Sequence, residues 1–108
     1  MLNTGFDYLY RDADNYKCRY QAIVRGEMTR EQIETIIDCC EDRIYFLPEQ
    51  VGLPFGHLIG FEFDPQSDHP WCEQESVYLT PLAPTVNMTA EELVAAFVAA
   101  KGNWREDL

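Results

Sequence analysis

The 108 residues carry nineteen acidic and eight basic side chains, a formal net charge of −11 with histidine neutral. That balance excludes the basic footprint that direct binding to nucleic acid or to an anionic membrane requires. Hydrophobic residues at 46% and aromatics at 13% separate the chain from disordered acidic sequences, which pair high charge with few rings. The length suits one domain over residues 1–108.

No apolar run approaches the roughly 18–20 residues that span a bilayer. The start of the chain lacks the charged head and apolar stretch of a signal peptide. The expectation is a cytoplasmic protein whose four cysteines stay reduced and unbridged. Cys18 falls in a predicted strand and Cys40 on the apolar face of a predicted helix, where a free thiol acts as a small hydrophobe.

Residues 6–10 alternate, with Phe6, Tyr8 and Tyr10 on one face, and predict a strand. The polar stretch 11–17 predicts a hairpin connection, with Asp12 or Asp14 pairing Arg11 or Lys17. Residues 18–24 alternate again and end at Gly26, so the two strands are expected to pair antiparallel.

Thr29 then opens the first helix as N-cap, with Gln32 completing a capping box and Met28 and Ile33 in the staple positions. Ile33, Ile36, Ile37 and Cys40 form its apolar stripe. Residues 44–47 predict a short strand stopped by Pro48, and Gly52 is expected to take a positive φ. Residues 58–63 read as a strand or as a loop packing its aromatics, and residues 76–79 as a strand. The second helix repeats the first opening, with cap Thr89, box residue Glu92 and staple pair Met88 and Leu93. Leu93, Ala96, Phe97 and Ala100 form its stripe, and Gly102 stops it. Local capping chemistry accounts for the near-identical strings at 28–33 and 88–93. The assembly is an α+β two-layer sandwich, an antiparallel sheet of about four strands with both helices on one face.

Residues 44–100 hold Glu49, Glu62, Asp64, Asp68, Glu73, Glu75, Glu91 and Glu92 against no lysine or arginine. Glu91 and Glu92 suit the first turn of the second helix, where the dipole favours carboxylates. The first helix differs. Glu31, Glu34, Asp38 and Glu41 recur at spacings of three, four and three, opposite the apolar stripe. Asp38, Glu41 and Asp42 lie near its C-terminal end, where negative charge is disfavoured, and like charges at these spacings cost about 0.2–0.5 kcal/mol per pair. Arg30 is expected to relieve Glu34, and Arg43 one acid at the far end, with the middle of the ridge uncompensated.

Local stability therefore does not explain the ridge. A helix places carboxylates on successive turns about 5–6 Å apart, near the spacing of phosphates along one nucleic-acid strand. Small acidic inhibitors of nucleic-acid enzymes, anti-CRISPR proteins among them, use that logic. The expected surface for a basic protein partner comprises Glu31, Glu34, Asp38, Glu41 and Asp42, with Glu62, Asp64, Asp68, Glu73 and Glu75 as a second patch. Acidity that serves only solubility is the alternative.

His69 and Cys72, three residues apart with Asp68 or Glu73 beside them and His57 as a further donor, form the densest set of metal-ligand types. A strong zinc signature has two paired modules and this segment has one. No Gly-x-Ser-x-Gly elbow, His-Glu-x-x-His or phosphate-cradling glycine loop is present. Neighbouring acids would raise, not lower, the pKa of Cys72. Neither a cofactor nor a catalytic residue is expected.

Residues 10–17 (YRDADNYK), 47–54 (LPEQVGLP) and 68–71 (DHPW) resemble three signature stretches of a group of small acidic bacterial proteins. The resemblance covers most of the chain in order. It implies a compact bacterial domain and assigns no activity.

Overall fold

The computed structural model describes residues 2–54 and 69–105. In chain order these form β1 (Asn3–Arg11), β2 (Lys17–Val24), α1 (Arg30–Cys39), β3 (Tyr45–Phe46), a 3-10 turn (Pro48–Val51), β4 (Cys72–Thr80) and α2 (Ala90–Ala100). The strands make one antiparallel sheet in the order β2-β1-β4-β3. The expected strand at 58–63 lies outside the described residues. The last strand is longer than the expected 76–79, because its outer half carries the charged residues Glu73 and Glu75 that hide the alternation.

One face of β1 supplies the core. Phe6, Tyr8 and Tyr10 are buried there, and Phe6 meets Phe46 edge-on at 5.3 Å and stacks on Phe97 of α2 at 5.8 Å. Ile36 and Cys39 of α1 and Leu93, Phe97 and Ala100 of α2 join the same cluster, so both helices cover one face. The hydrophobic periods of 2 and 3.6 thus converge on a single layer. All four cysteines are unbridged, with Cys39, Cys40 and Cys72 buried.

Both capping boxes form as expected. Thr29 accepts from the Gln32 amide, Thr89 accepts from the Glu92 amide, and each box residue accepts from its cap's own N–H. The two helix starts also lie side by side. Arg25 donates its backbone N–H to Met88 O and accepts from Ala90 N, a parallel bridge beyond the end of β2. Thr4 ties the same corner to the sheet, donating to Gly26 O at 2.7 Å and accepting from Met28 N at 3.0 Å.

One local expectation changes. Asp12 does not pair with a cation in the β1–β2 turn; its carboxylate accepts from the amides of Asp14 and Tyr16, while Arg11 donates to Asn15 and Glu73. Backbone amides two and four residues away are nearer partners than a long side chain that must be ordered. The expected positive φ is present at Gly52, at 82°, and Gly102, past the end of α2, also takes one, at 73°.

The opposite face of the sheet mixes polar side chains with buried Leu9 and Ile23, and it has one close approach. The ring of Tyr78 lies flat over Gly5, where an added Cβ would sit 2.4 Å from a ring carbon. The phenol donates to Asp7 at 2.6 Å and accepts from Gln21 at 2.6 Å, so one ring ties β4 to both β1 and β2. Between Asp7 and Tyr8 the register with β4 shifts, which leaves Glu75 as an extra residue in β4 beside Arg19.

Gly5→Ala is expected to destabilise the protein by about 1–3 kcal/mol through overpacking. Most of that loss should vanish when the change is made in a Tyr78→Ala background. Denaturant titration of the four proteins in this cycle measures the coupling, and additive losses would show that the ring is not what Gly5 accommodates.

Candidate functional site

The acidic ridge is present but is built differently from a single helical stripe. The helix ends at Cys39, with Cys40 already extended as C-cap, so Glu41 and Asp42 lie in the following turn and not on the helix. Asp42 and Arg43 take positive φ values of 53° and 62°, and Glu41 and Tyr45 exchange backbone hydrogen bonds of 2.8 and 2.9 Å across the turn. The turn sends Arg43 back over the helix, where one guanidinium contacts both Asp38 and Glu34, the latter at 3.3 Å. Arg43, not Arg30, therefore relieves Glu34, and the middle of the ridge is compensated where it was expected to be bare. The α-helical spacing continued to Glu41 in the sequence, but Cys40 turned extended and ended the helix first, before the left-handed pair Asp42 and Arg43.

All five acids, Glu31, Glu34, Asp38, Glu41 and Asp42, are exposed. The Arg43 pairs are half-exposed at each side chain, and pairs of that kind are worth about 0.2–1 kcal/mol each. One cation shared by two carboxylates leaves net negative charge on this face.

The second patch is weaker where it is described. Glu73 is paired to Arg11 at 2.9 Å and Glu75 to Arg19 at 3.5 Å, both on the polar face of the sheet. Glu62, Asp64 and Asp68 lie outside the described residues, as does His57. The ridge and the Glu73–Glu75 pair sit on different elements, α1 and β4, and no ion pair joins them among the described residues.

His69 and Cys72 are not brought together as ligands. The Trp71 amide donates to His69 Nδ1 at 3.1 Å, which leaves the proton on Nε2 to be donated to Arg11 O at 2.7 Å. Both ring nitrogens of a neutral imidazole are then engaged within the fold. Cys72 is 1% exposed and packs in the core, where burial, with Glu73 adding to it, holds its thiol well above the ordinary range. Glu73 is committed to Arg11. No cluster of three metal-ligand side chains occurs among the described residues.

A groove absent from the sequence reading lies beside the turn. It is a shallow, largely open depression of about 320 Å³, lined among the described residues by Glu41, Tyr45, His69 and Trp71. Phe46 points into the core and so its neighbour Tyr45 points out, 39% exposed. The ring of Trp71 is braced edge-to-face by Trp104 at 6.1 Å, and the Trp104 indole donates to Cys39 O at the end of α1. The signal in the sequence was the outward member of the Tyr45–Phe46 pair and a tryptophan in a polar segment, but nothing local shows that the two meet.

Compared with known proteins, the chain matches no family model, no curated protein and no solved structure. No helix among the described residues is long and apolar enough to cross a membrane.

The buried thiols set an alkaline limit on stability. Burial, with the Cys39 thiol beside it adding to the effect, raises the Cys40 pKa from an ordinary value near 9 to about 12. Burial likewise raises Cys72, Tyr8 and Tyr20. Above pH 9 the unfolded chain loses protons that the folded one retains, so this stability is full below pH 9 and lost as pH rises toward 12. The denaturation midpoint should fall steadily from pH 9 to 10.5, with a shallower fall in Cys40→Ala. An aromatic thiol-exchange reagent at pH 8 should modify Cys18 first and the other three only on unfolding.

Proposed function

We propose that this protein is a non-enzymatic interaction module that presents carboxylates to a basic groove of a partner protein, of the kind that otherwise holds nucleic acid. The observation that supports the reading is the surface of α1 and its following turn. Five carboxylates are exposed there, and among the described residues one guanidinium, that of Arg43, is ion-paired to them. Of these acids only Glu31, in the first turn, suits the helix's own dipole, the cap being made by Thr29 and Gln32. Asp38 and Glu34 share Arg43, whereas Glu31, Glu41 and Asp42 have no ion pair among the described residues, so a partner's positive charge is the interaction the surface suits.

Such a surface acts first on association. Complementary charge steers encounter and fixes orientation, and its effect falls steeply with ionic strength. The partner so defined has a basic concave surface, and the protein would compete there with a phosphate backbone. Direct contact with nucleic acid or with an anionic membrane does not fit a net charge of −11.

Immobilised protein should capture a basic, nucleic-acid-binding partner from a bacterial lysate at low salt, release it at high salt, and lose it to added duplex DNA. A Glu31→Lys, Glu34→Lys, Asp38→Lys variant should fold normally, since all three side chains are exposed, and should retain less than about a tenth of the capture. Capture that ignores both salt and the triple reversal would falsify the proposal.

A further inference from the structure

We propose that the outer edge of β4 pairs antiparallel with the same edge of a second copy of this chain, about a two-fold axis at Tyr78. The proposal goes beyond the acidic-surface reading and does not depend on it.

The direction of each backbone group follows from the far edge of the sheet. Ile23 O accepts from Thr85 N, and Arg25 N donates to Met88 O, so these two residues of the β2 side turn their backbone away from β1. Their neighbours Ala22 and Val24 therefore bond to Phe6 and Thr4, which lie opposite them. The alternate residues of β1, Asn3, Gly5 and Asp7, then bond to Thr80, Tyr78 and Ser76. Val77 and Leu79 are left with N–H and C=O groups that point outward from the sheet. Gln74 keeps the same alternation, its amide donating outward to Ile44 O at 2.8 Å. β3 covers β4 at Cys72 and Glu73, and no strand among the described residues reaches Val77 or Leu79.

The two edges of the sheet differ in what guards them. Along β2, residues 85–90 cover Ile23 and Arg25. The open remainder, Lys17, Arg19 and Gln21, carries two exposed cations. A second copy added there about Arg19 sets that cation opposite itself, which is destabilising, and basic side chains on an edge strand bar pairing in this way. β4 has no such guard. Residues 76–90 hold no charged side chain, Leu79 is 43% exposed and Val77 is half-buried. The Tyr78 ring is folded back over Gly5 and bonded to Asp7 and Gln21, so it does not shield the edge. On a chain of net charge −11, this edge lets two copies meet at strand spacing without setting like charges opposite each other.

Self-pairing also fits in register. With the axis at Tyr78, Val77 falls opposite the second copy's Leu79, and Leu79 opposite its Val77. Each pair exchanges both of its backbone hydrogen bonds and brings the two apolar side chains together on one face. The bulge at Glu75 and the missing N–H of Pro81 close this window at its two ends. Past Thr80 the chain turns toward β1, where Leu82 O accepts from the Asn3 side chain at 2.9 Å. The second copy therefore leaves the edge before it would reach β3.

The test is sedimentation equilibrium and amide hydrogen exchange on the intact protein, over a range of concentrations at low and at high salt. Dimer should form more readily at high salt, which screens the repulsion between two acidic chains and leaves the apolar contact. That is the reverse of the salt dependence expected for partner capture. The Val77 and Leu79 amides should exchange quickly in the monomer and become protected as dimer forms, while those of Lys17, Arg19 and Gln21 stay unprotected. Leu79→Lys should weaken the dimer about tenfold or more, with circular dichroism confirming the fold. Val98→Lys, at an exposed apolar position on α2, should leave the dimer unchanged.

A monomer at every concentration and salt overturns the proposal, as does a dimer in which the Val77 and Leu79 amides stay unprotected. Protection of those amides that appears only when a captured partner is added assigns the edge to a strand of that partner and overturns pairing with a second copy.

Discussion

The rest of the structure depends on the row of rings that β1 directs into the core. Phe6, Tyr8 and Tyr10 lie on one face of a strand with hydrogen-bonded neighbours on both edges, β2 on one side and β4 on the other. Phe46 of β3 and Phe97 of α2 reach the same rings, so three separate elements meet on one patch of aromatic surface. Rings meeting edge-on or offset gain about 0.5–1.5 kcal/mol per pair beyond area burial. Their shape also fixes where each helix sits. The candidate surface is the outer side of this arrangement. Ile36 and Cys39 anchor α1 inward, and that leaves Glu31, Glu34 and Asp38 outward.

The sequence was most readable where local chemistry and periodicity agreed. Both Thr caps, their Gln32 and Glu92 box partners, the first two strands and the inward faces of both helices follow from rules that act within a few residues. It was least readable where a distant group decided. Nothing near Gly5 shows that Tyr78 will cover it from seventy-three positions away in β4. Ile23 belongs to the polar face by alternation yet is buried, with its backbone hydrogen-bonded to Thr85 from a segment that the sequence leaves without structure.

The candidate site divides in the same way. Exposure of the acids on α1 followed from the apolar stripe opposite them, whereas their compensation did not. Whether Arg43 could reach Glu34 depended on two consecutive left-handed residues, Asp42 and Arg43, neither of which is glycine. The same turn removed Glu41 from the helix and placed it against Tyr45. One short backbone deviation thus lowered the charge of the ridge and created a wall of the groove, which is why the two surfaces adjoin at Glu41.

The pairing of β1 with β4 has a consequence for how the chain comes to be made. Asn3 lies opposite Thr80, and Leu9 opposite Glu73. Emerging from a ribosome, β1 and β2 can form a hairpin early, but the other edge of β1 stays open until residue 80 has been synthesised. An unpaired edge backed by Phe6, Tyr8 and Tyr10 is a template for pairing with neighbouring nascent chains. Asp7, Asp12 and Asp14 in or beside that hairpin are matched by Arg11, Lys17 and Arg19, so its charge sums to zero and gives no repulsion between copies. The acid excess of the chain lies after this hairpin, so the edge of β1 is protected only when β4 arrives to pair with it.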